Sequence, residues 1–367
     1  MKAMLDLSGI KSGGGAQLAT NFLAHIAGQG GTKMFEFILV SDKFPRTETV
    51  SDFSELVVAP SSIVGRLRFE HVELPCIARQ HGVTHSYTFF GPGLPARTGL
   101  KQLVGVAYPT LVYDDSPYWD YLPPGFKVKK RAQNALRKAR LRQADHLIFE
   151  TDTMLERAKR AGLVTAGSSV IPPTPTAFLK ASPPPHTGPV RFLILAGTDP
   201  HKNLWRLFEA LPMIADEALD VRFAVSITRN AFLAAMVHPD PAKARLVDTY
   251  FEFLGALPPD RLQEAYDDAT VVLNIADLES FSNNYMEAWL TGRPLLVSDR
   301  DFARDTCGGS AIYVEPHDIA SLVSGLRQFA KGQAEIAAMV AEGRQRLKRL
   351  PTIEQRTSQI LALLSGL

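Results

Sequence analysis

The chain has 367 residues, more than one hydrophobic core usually serves, so two domains are expected. With 46% hydrophobic and 21% charged residues it reads as globular rather than disordered, and a formal net charge of +2 gives no whole-molecule case for nucleic-acid binding. Its two cysteines, Cys76 and Cys307, lie far apart without CxxC spacing, which excludes a disulfide scaffold and fits a reducing compartment.

The opening residues, Met1 to Ile10, read as neither a signal nor a transit peptide. No apolar run approaches the roughly 20 residues of a membrane span, so a cytoplasmic location is expected. In the first half, apolar runs at Ala3–Leu7, Phe35–Ser41, His85–Phe89, Leu103–Val106 and His146–Phe149 predict strands, and Ala16–Gly28 and Lys130–Ala144 predict helices. Between the first strand and first helix lies Ser12–Gly15, a Ser-Gly-Gly-Gly run. Gly14 and Gly15 would let the backbone approach a ligand, and a bare tight turn is an equal reading. The stretch from Phe126 to Arg142 carries eight basic residues and no acidic one, with Ala132, Ala135, Leu136, Ala139 and Leu141 interleaved as an apolar helix face. A solvated helix is one reading and a peripheral contact of 126–142 with an anionic membrane the other.

Seven prolines between Pro172 and Pro189 predict an extended linker. Beyond it the rhythm is clearer. Strands are expected at Phe192–Ala196, Val221–Ile227, Phe251–Leu254, Thr270–Ile275, Leu295–Ser298 and Ala311–Val314, with helices at Leu204–Ala215, Pro259–Asp268 and Asn283–Thr291 between them. Alternating strands and helices mean parallel sheets covered on both faces. The expected fold class is α/β, with two doubly wound Rossmann-like domains facing a central cleft. Residues 1–172 would form the first, 173–189 the linker and 190–349 the second, a final helix of about 350–367 packing back on the first.

The most informative stretch is Glu279–Asp299, ESFSNNYMEAWLTGRPLLVSD. Ser282 is a good N-cap, and Gly292 followed by Pro294 a good stop. At 100° per residue Asn283, Asn284, Glu287 and Thr291 share one polar stripe. That stripe starts where helix N–H groups are unpaired and can hold phosphate. Taken alone, Glu279 and Glu287 read equally as a loop residue and a solvated surface charge. Upstream, the strand Phe192–Ala196 runs into Gly197–Asn203, GTDPHKN, where Lys202 stands at a helix start that disfavours a cation unless an anion is near.

The E-x7-E pair in its strand–loop–helix–Gly-x-Pro–strand frame resembles the donor-binding signature of the retaining glycosyltransferases of family 4, whose fold is the two-domain GT-B type. The resemblance spans both halves and is strongest over Gly255–Pro316. It implies that Glu279 sits beside the transferred sugar and that Glu287 binds the ribose hydroxyls. Ser282, Asn283 and Asn284 would cradle the diphosphate, with Lys202 on it as well and Gly14 and Gly15 facing donor and acceptor. The wording departs from the family in three places. Ser280 and Ser282 replace usual glycines. Thr198 stands where the family has an arginine, with Arg229 as the candidate substitute and a plain surface arginine as the other reading. The cleft histidine is missing from its place after Leu103–Val106, where Tyr108 stands; His85 is the second candidate.

By that resemblance, catalytic roles fall to Glu279, Lys202 and Tyr108, without a metal or a cofactor beyond the nucleotide-sugar donor. The sugar would pass with retention to a glycan or lipid-linked acceptor in bacterial surface polysaccharide synthesis. The donor's base and sugar stay open. A catalytically silent homologue serving as a binding subunit, and a non-hydrolysing sugar-nucleotide epimerase, are the alternatives.

Overall fold

The structure, a computed structural model, describes residues 1–10, 13–29, 34–44, 55–185, 188–236 and 240–367. Ser12 of the glycine run and residues 186–187 of the proline segment lie outside them. The chain divides into two compact units: residues 1–114, 124–174 and 351–367, and residues 115–123 and 175–350.

The first unit is built on seven strands: β1 Ala3–Asp6, β2 Phe35–Ser41, β3 Leu56–Ala59, β4 His85–Thr88, β5 Lys101–Val106, β6 His146–Phe149 and β7 Gly167–Val170. They pair in the order β3-β2-β1-β4-β5-β6-β7, every pair parallel. The central strands are apolar on both faces because helices cover both sides, the packing that parallel sheets require. Strands β3 and β7 were not expected. The first is four residues long and partly exposed, and β7 reads Gly-Ser-Ser-Val and is only half-buried, so neither carries a buried strand's pattern.

The first helix runs Gly13–Gly28, so Gly14 and Gly15 belong to its first turn and not to a loop before it. The basic helix is Pro124–Leu141, beginning six residues earlier than its apolar pattern suggested. The last helix, Ile353–Ser365, starts with a capping box of Thr352 and Gln355. It buries Ile360 and Leu364 in the first unit's core. Its Arg356 lies 5.3 Å from the centre of the Phe89 ring and donates to the Pro172 carbonyl at 3.1 Å.

The second unit has six strands: β8 Val190–Ile194, β9 Val221–Val225, β10 Phe251–Phe253, β11 Val271–Asn274, β12 Leu295–Ser298 and β13 Ala311–Val314. Their order is β10-β9-β8-β11-β12-β13, again all parallel. One core joins Phe192, Phe208, Phe223 and Leu273 to Leu322 and Phe329 of the helix Ile319–Ala330. In both sheets the strand order reverses beside a first strand, β1 or β8. Connections leave opposite ways there and open a crevice at the carboxyl ends, where such sheets bind ligands.

The prolines of the linker remove backbone donors, and its described part forms neither helix nor strand. It is nonetheless tied to the second unit. Ser182 N donates to the Thr291 carbonyl at 3.0 Å, and Arg293, itself buried, donates to the Pro183 carbonyl at 2.7 Å.

Candidate functional site

The second sheet's reversal lies between β8 and β11, and the predicted donor residues meet there. After β8 the chain runs through a short 3-10 turn, Pro200–Lys202, to Asn203, whose φ of 59° is left-handed, a conformation asparagine tolerates better than most residues. Asn203 is fully buried. Its amide donates to the Ile275 carbonyl at 2.9 Å and to Asp277 Oδ2 at 2.7 Å, stitching the loop after β8 to the loop after β11. The stitch brings Lys202 Nζ to 2.6 Å from Glu279 Oε1. Lys202 and Asn284 also line a small cleft with the carboxyl ends of β8 and β11.

The helix Asn283–Thr291 begins beside this pair. Ser282 precedes it in extended conformation, yet its hydroxyl gives the helix no side-chain cap; Oγ accepts from Asn274 Nδ2 at 2.8 Å instead. The Ser282 hydroxyl thus does not cap the helix's first N–H groups. Asn284 is half-buried and donates to the Leu195 carbonyl at 3.1 Å. The helix ends at Gly292, whose φ of 75° suits glycine.

The polar stripe of this helix is not a solvated face. Tyr285, Met286, Glu287, Ala288, Trp289 and Thr291 are all buried, and Thr176 of the linker and Tyr266 cover Glu287 on the polar stripe. Glu287 is 4% exposed. Its two oxygens accept from Thr176 Oγ1 at 3.1 Å and Tyr266 Oη at 2.7 Å. Burial pushes its carboxyl above the usual range against the pull of those two hydrogen bonds. The reading of Glu287 as a solvated surface charge is therefore excluded.

Asp277, which sequence reasoning passed over, is the hub of this loop cluster. Its side chain is wholly buried and accepts from Tyr121 Oη at 2.7 Å, Asn203 at 2.7 Å, His317 Nε2 at 2.8 Å and Arg300 Nη2 at 2.7 Å. Arg300 also bridges to Glu315, and Arg206 meets His317 Nδ1 at 2.8 Å. Burial pushes the Asp277 carboxyl up, but the four donors outweigh it and hold the group below the usual carboxylate range. Tyr121 and Ser116 come from residues 115–123, a segment early in the sequence that belongs to the second unit, and Ser116 Oγ donates to the Asp277 carbonyl at 3.1 Å. A lone aspartate two residues before Glu279 gave no sequence signal for this.

The remaining predicted residues lie elsewhere. Arg229 is exposed at the start of the helix Arg229–Ala234, where Asp248 takes its guanidinium at 2.7 and 3.0 Å. Neither Lys202 nor Glu279 is among its partners. Thr198 is exposed and shares a second pocket with Trp205, Ile227 and Phe232.

In the first unit, Tyr108 follows β5 at the carboxyl edge, with the Arg137 guanidinium 4.6 Å from its ring centre. His85 opens β4, at the amino end, so it cannot serve a crevice at the strands' carboxyl ends. The basic helix also departs from its pattern. Leu136 is 70% exposed and Ala132, Ala135 and Ala139 are exposed, while Asn134 and Leu141 are buried. Polar Asn134 takes the inner face because its amide donates to the Thr110 carbonyl at 2.8 Å. Among the described residues no helix is long and apolar enough to cross a membrane.

A family model described as "glycosyl transferases group 1" matches residues 190–331, the span that holds Lys202, Glu279 and Glu287. No curated protein matches the chain in sequence. Among solved structures, a sucrose-phosphate synthase from Thermosynechococcus elongatus is similar over 100% of this chain and 99% of its own, at 15% identity and a TM-score of 0.74. WaaG, a glycosyltransferase involved in lipopolysaccharide biosynthesis, is similar over 100% of both chains, also at 15% identity and 0.74. Anabaena HepE, solved in complex with UDP and glucose, is similar over 100% of both at 13% identity and 0.70. At these identities the likeness establishes the fold, and that fold is the α/β GT-B architecture of glycosyltransferases.

Proposed function

We propose that the protein is a retaining glycosyltransferase that moves a sugar from a nucleotide-diphosphate sugar to a glycan or lipid-linked acceptor without a metal ion. The observation that carries the reading is the Lys202–Glu279 pair beside an uncapped helix N-terminus at the sheet's reversal. The acceptor oxygen bonds to the anomeric carbon as that carbon's bond to the β-phosphate oxygen breaks. The acceptor's proton passes to the departing phosphate oxygen, so no separate base is required. Such a reaction asks the protein chiefly to stabilise charge growing on the diphosphate. Lys202 and the N–H groups of Asn283 and Asn284 supply that charge, and Glu279 faces the sugar. The likeness in fold to WaaG, a glycosyltransferase involved in lipopolysaccharide biosynthesis, supports a role in bacterial surface polysaccharide synthesis, with 126–142 resting on an anionic membrane.

One observation favours a second reading. Thr198 brings no charge and Arg229 is held by Asp248, so a catalytically silent binding subunit remains the competitor. Thermal-shift screening with UDP-, GDP-, TDP- and ADP-sugars, followed by a donor-hydrolysis assay, separates the two. A sugar nucleotide that stabilises the protein and is turned over supports the transferase; binding without turnover refutes it in favour of the subunit.

A further inference from the structure

The first sheet has its own crevice, where its strand order reverses between β1 and β4, and an unusual group of arginines gathers there. Arg66 follows β3 in the helix Ile63–Arg68 and donates through Nη2 to Ser8 Oγ at 2.6 Å, just beyond β1. Its Nε donates to Glu70, whose other oxygen meets Arg140 Nη2 at 2.7 Å. Glu70 is buried, so one carboxylate fixes two guanidinium groups that each keep part of their surface in water. Arg137 lies one turn before Arg140 on the same helix and stacks on Tyr108. Among the described residues no carboxylate pairs with Arg137.

Three cations against the carboxylates of Glu70 and Asp6 leave an excess of one positive charge here. The nearby Asp6 carboxylate is buried and already accepts from Ser8 and from Thr88 Oγ1. The Tyr108 hydroxyl is pushed up by burial, with the positive charges of Arg137 and Arg66 opposing that shift and the negative charge of Asp6 adding to it. The backbone is also close: a Cβ on Gly9 would stand 2.5 Å from the Phe90 carbonyl oxygen and 3.4 Å from Tyr108 Oη. Glycine at that position keeps the floor beneath the tyrosine low.

Guanidinium groups present paired donors that match phosphate oxygens, and a buried carboxylate holding two of them removes much of the ordering cost of binding. We propose that Arg66, Arg137 and Arg140, with Tyr108, bind a phosphate group carried by the acceptor. The inference rests on the transferase reading for the word acceptor but not for the binding itself. A soluble sugar phosphate and a lipid-linked phosphate offer the same chemistry.

The test measures binding, not transfer, on the full chain carrying Lys202→Ala, which removes the cation of the second unit's site. Inorganic phosphate, glucose 6-phosphate and vesicles of neutral lipid with and without phosphatidic acid are titrated by calorimetry or sedimentation. Arg137→Ala is the decisive change, since it strands no buried charge, whereas Arg140→Ala would disturb Glu70. We expect Arg137→Ala to weaken phosphate binding at least tenfold with unchanged circular dichroism, and Arg137→Lys to restore part of it. Tighter binding of glucose 6-phosphate than of inorganic phosphate assigns a soluble acceptor; preference for phosphatidic-acid vesicles assigns a lipid-linked one. Equal affinity of the Arg137→Ala protein and its parent for every probe overturns the proposal, as does a parent that prefers neither source to inorganic phosphate.

Discussion

Glu279 Oε1 lies 2.6 Å from Lys202 Nζ, so a diphosphate bound to Lys202 as proposed would compete with Glu279 for that cation. Changing Glu279 to glutamine keeps a hydrogen-bond acceptor there and removes the rival charge. The pair is partly buried, at 23% and 14% side-chain exposure. Its strength therefore lies above the roughly 0.2–1 kcal/mol of an exposed pair. It lies below the about 4 kcal/mol of two charges 4 Å apart at an effective dielectric of about 20. A value of about 1–2 kcal/mol predicts that Glu279→Gln binds a free nucleoside diphosphate roughly 5–30-fold more tightly. Transfer should fall in the same protein, by about 10²-fold, because the charge facing the reacting sugar is gone. Calorimetry with UDP and GDP measures the first effect and product formation from the matching sugar nucleotide the second. Unchanged or weaker diphosphate binding in a folded Glu279→Gln protein would refute the competition, and with it the placement of the diphosphate on Lys202.

The Lys202→Ala change should lower the transfer rate by about 10²–10³, equivalent to about 2.7–4 kcal/mol, while the melting temperature stays nearly constant; a rate within twofold of the parent would remove Lys202 from the reaction. If Lys202 and helix N–H groups meet the diphosphate's charge as proposed, transfer should persist in EDTA; turnover abolished by EDTA and restored by Mg²⁺ or Mn²⁺ contradicts this. Burial raises the Glu287 carboxyl, so its contribution to stability is present below the unfolded-state value and is lost as pH rises through the folded one. Glu287→Gln should therefore raise the urea midpoint more at pH 7 than at pH 4, and an equal shift at both would count against the burial argument.

Much of the second unit was legible because parallel strands buried on both faces read as short, dense apolar runs. Leu295–Ser298 and Ala311–Val314 were placed to the residue, and the helix Asn283–Thr291 likewise, since Ser282 and Gly292 bracket it. The edge strands β3 and β7 were not legible, because an edge strand needs only one good neighbour and can be partly polar. Two helices show where periodicity stops. It shows which residues share a face but not what covers that face. The polar stripe of Asn283–Thr291 is covered by Thr176 and Tyr266, and the apolar stripe of the basic helix is left in water. Lys202 and Glu279 were found through local wording, but their meeting follows from strand order, which brings residues 77 apart in sequence onto neighbouring strand ends.

The Asp277 cluster marks the limit of such reading, since its partners Ser116, Tyr121, Asn203, Arg300 and His317 come from four separate places in the chain. Their convergence fixes the loop that carries Glu279 against the loop that carries Lys202. Asp277→Asn would preserve the shape but leave Arg300 with Glu315 alone and His317 without its anion. Removing one partner from a buried ionic cluster costs about 3–5 kcal/mol. The lower end is expected here because asparagine still accepts one hydrogen bond. The sign with pH is opposite to that of Glu287. A carboxyl held below its unfolded-state value contributes stability above that value and loses it as pH falls through the folded one. Urea midpoints of the parent should therefore drop steeply in acid, and those of Asp277→Asn should start lower at pH 7 and drop less. Parallel curves for the two proteins would show that Asp277 is not ionised in the folded state, and the cluster would then be held by shape rather than charge.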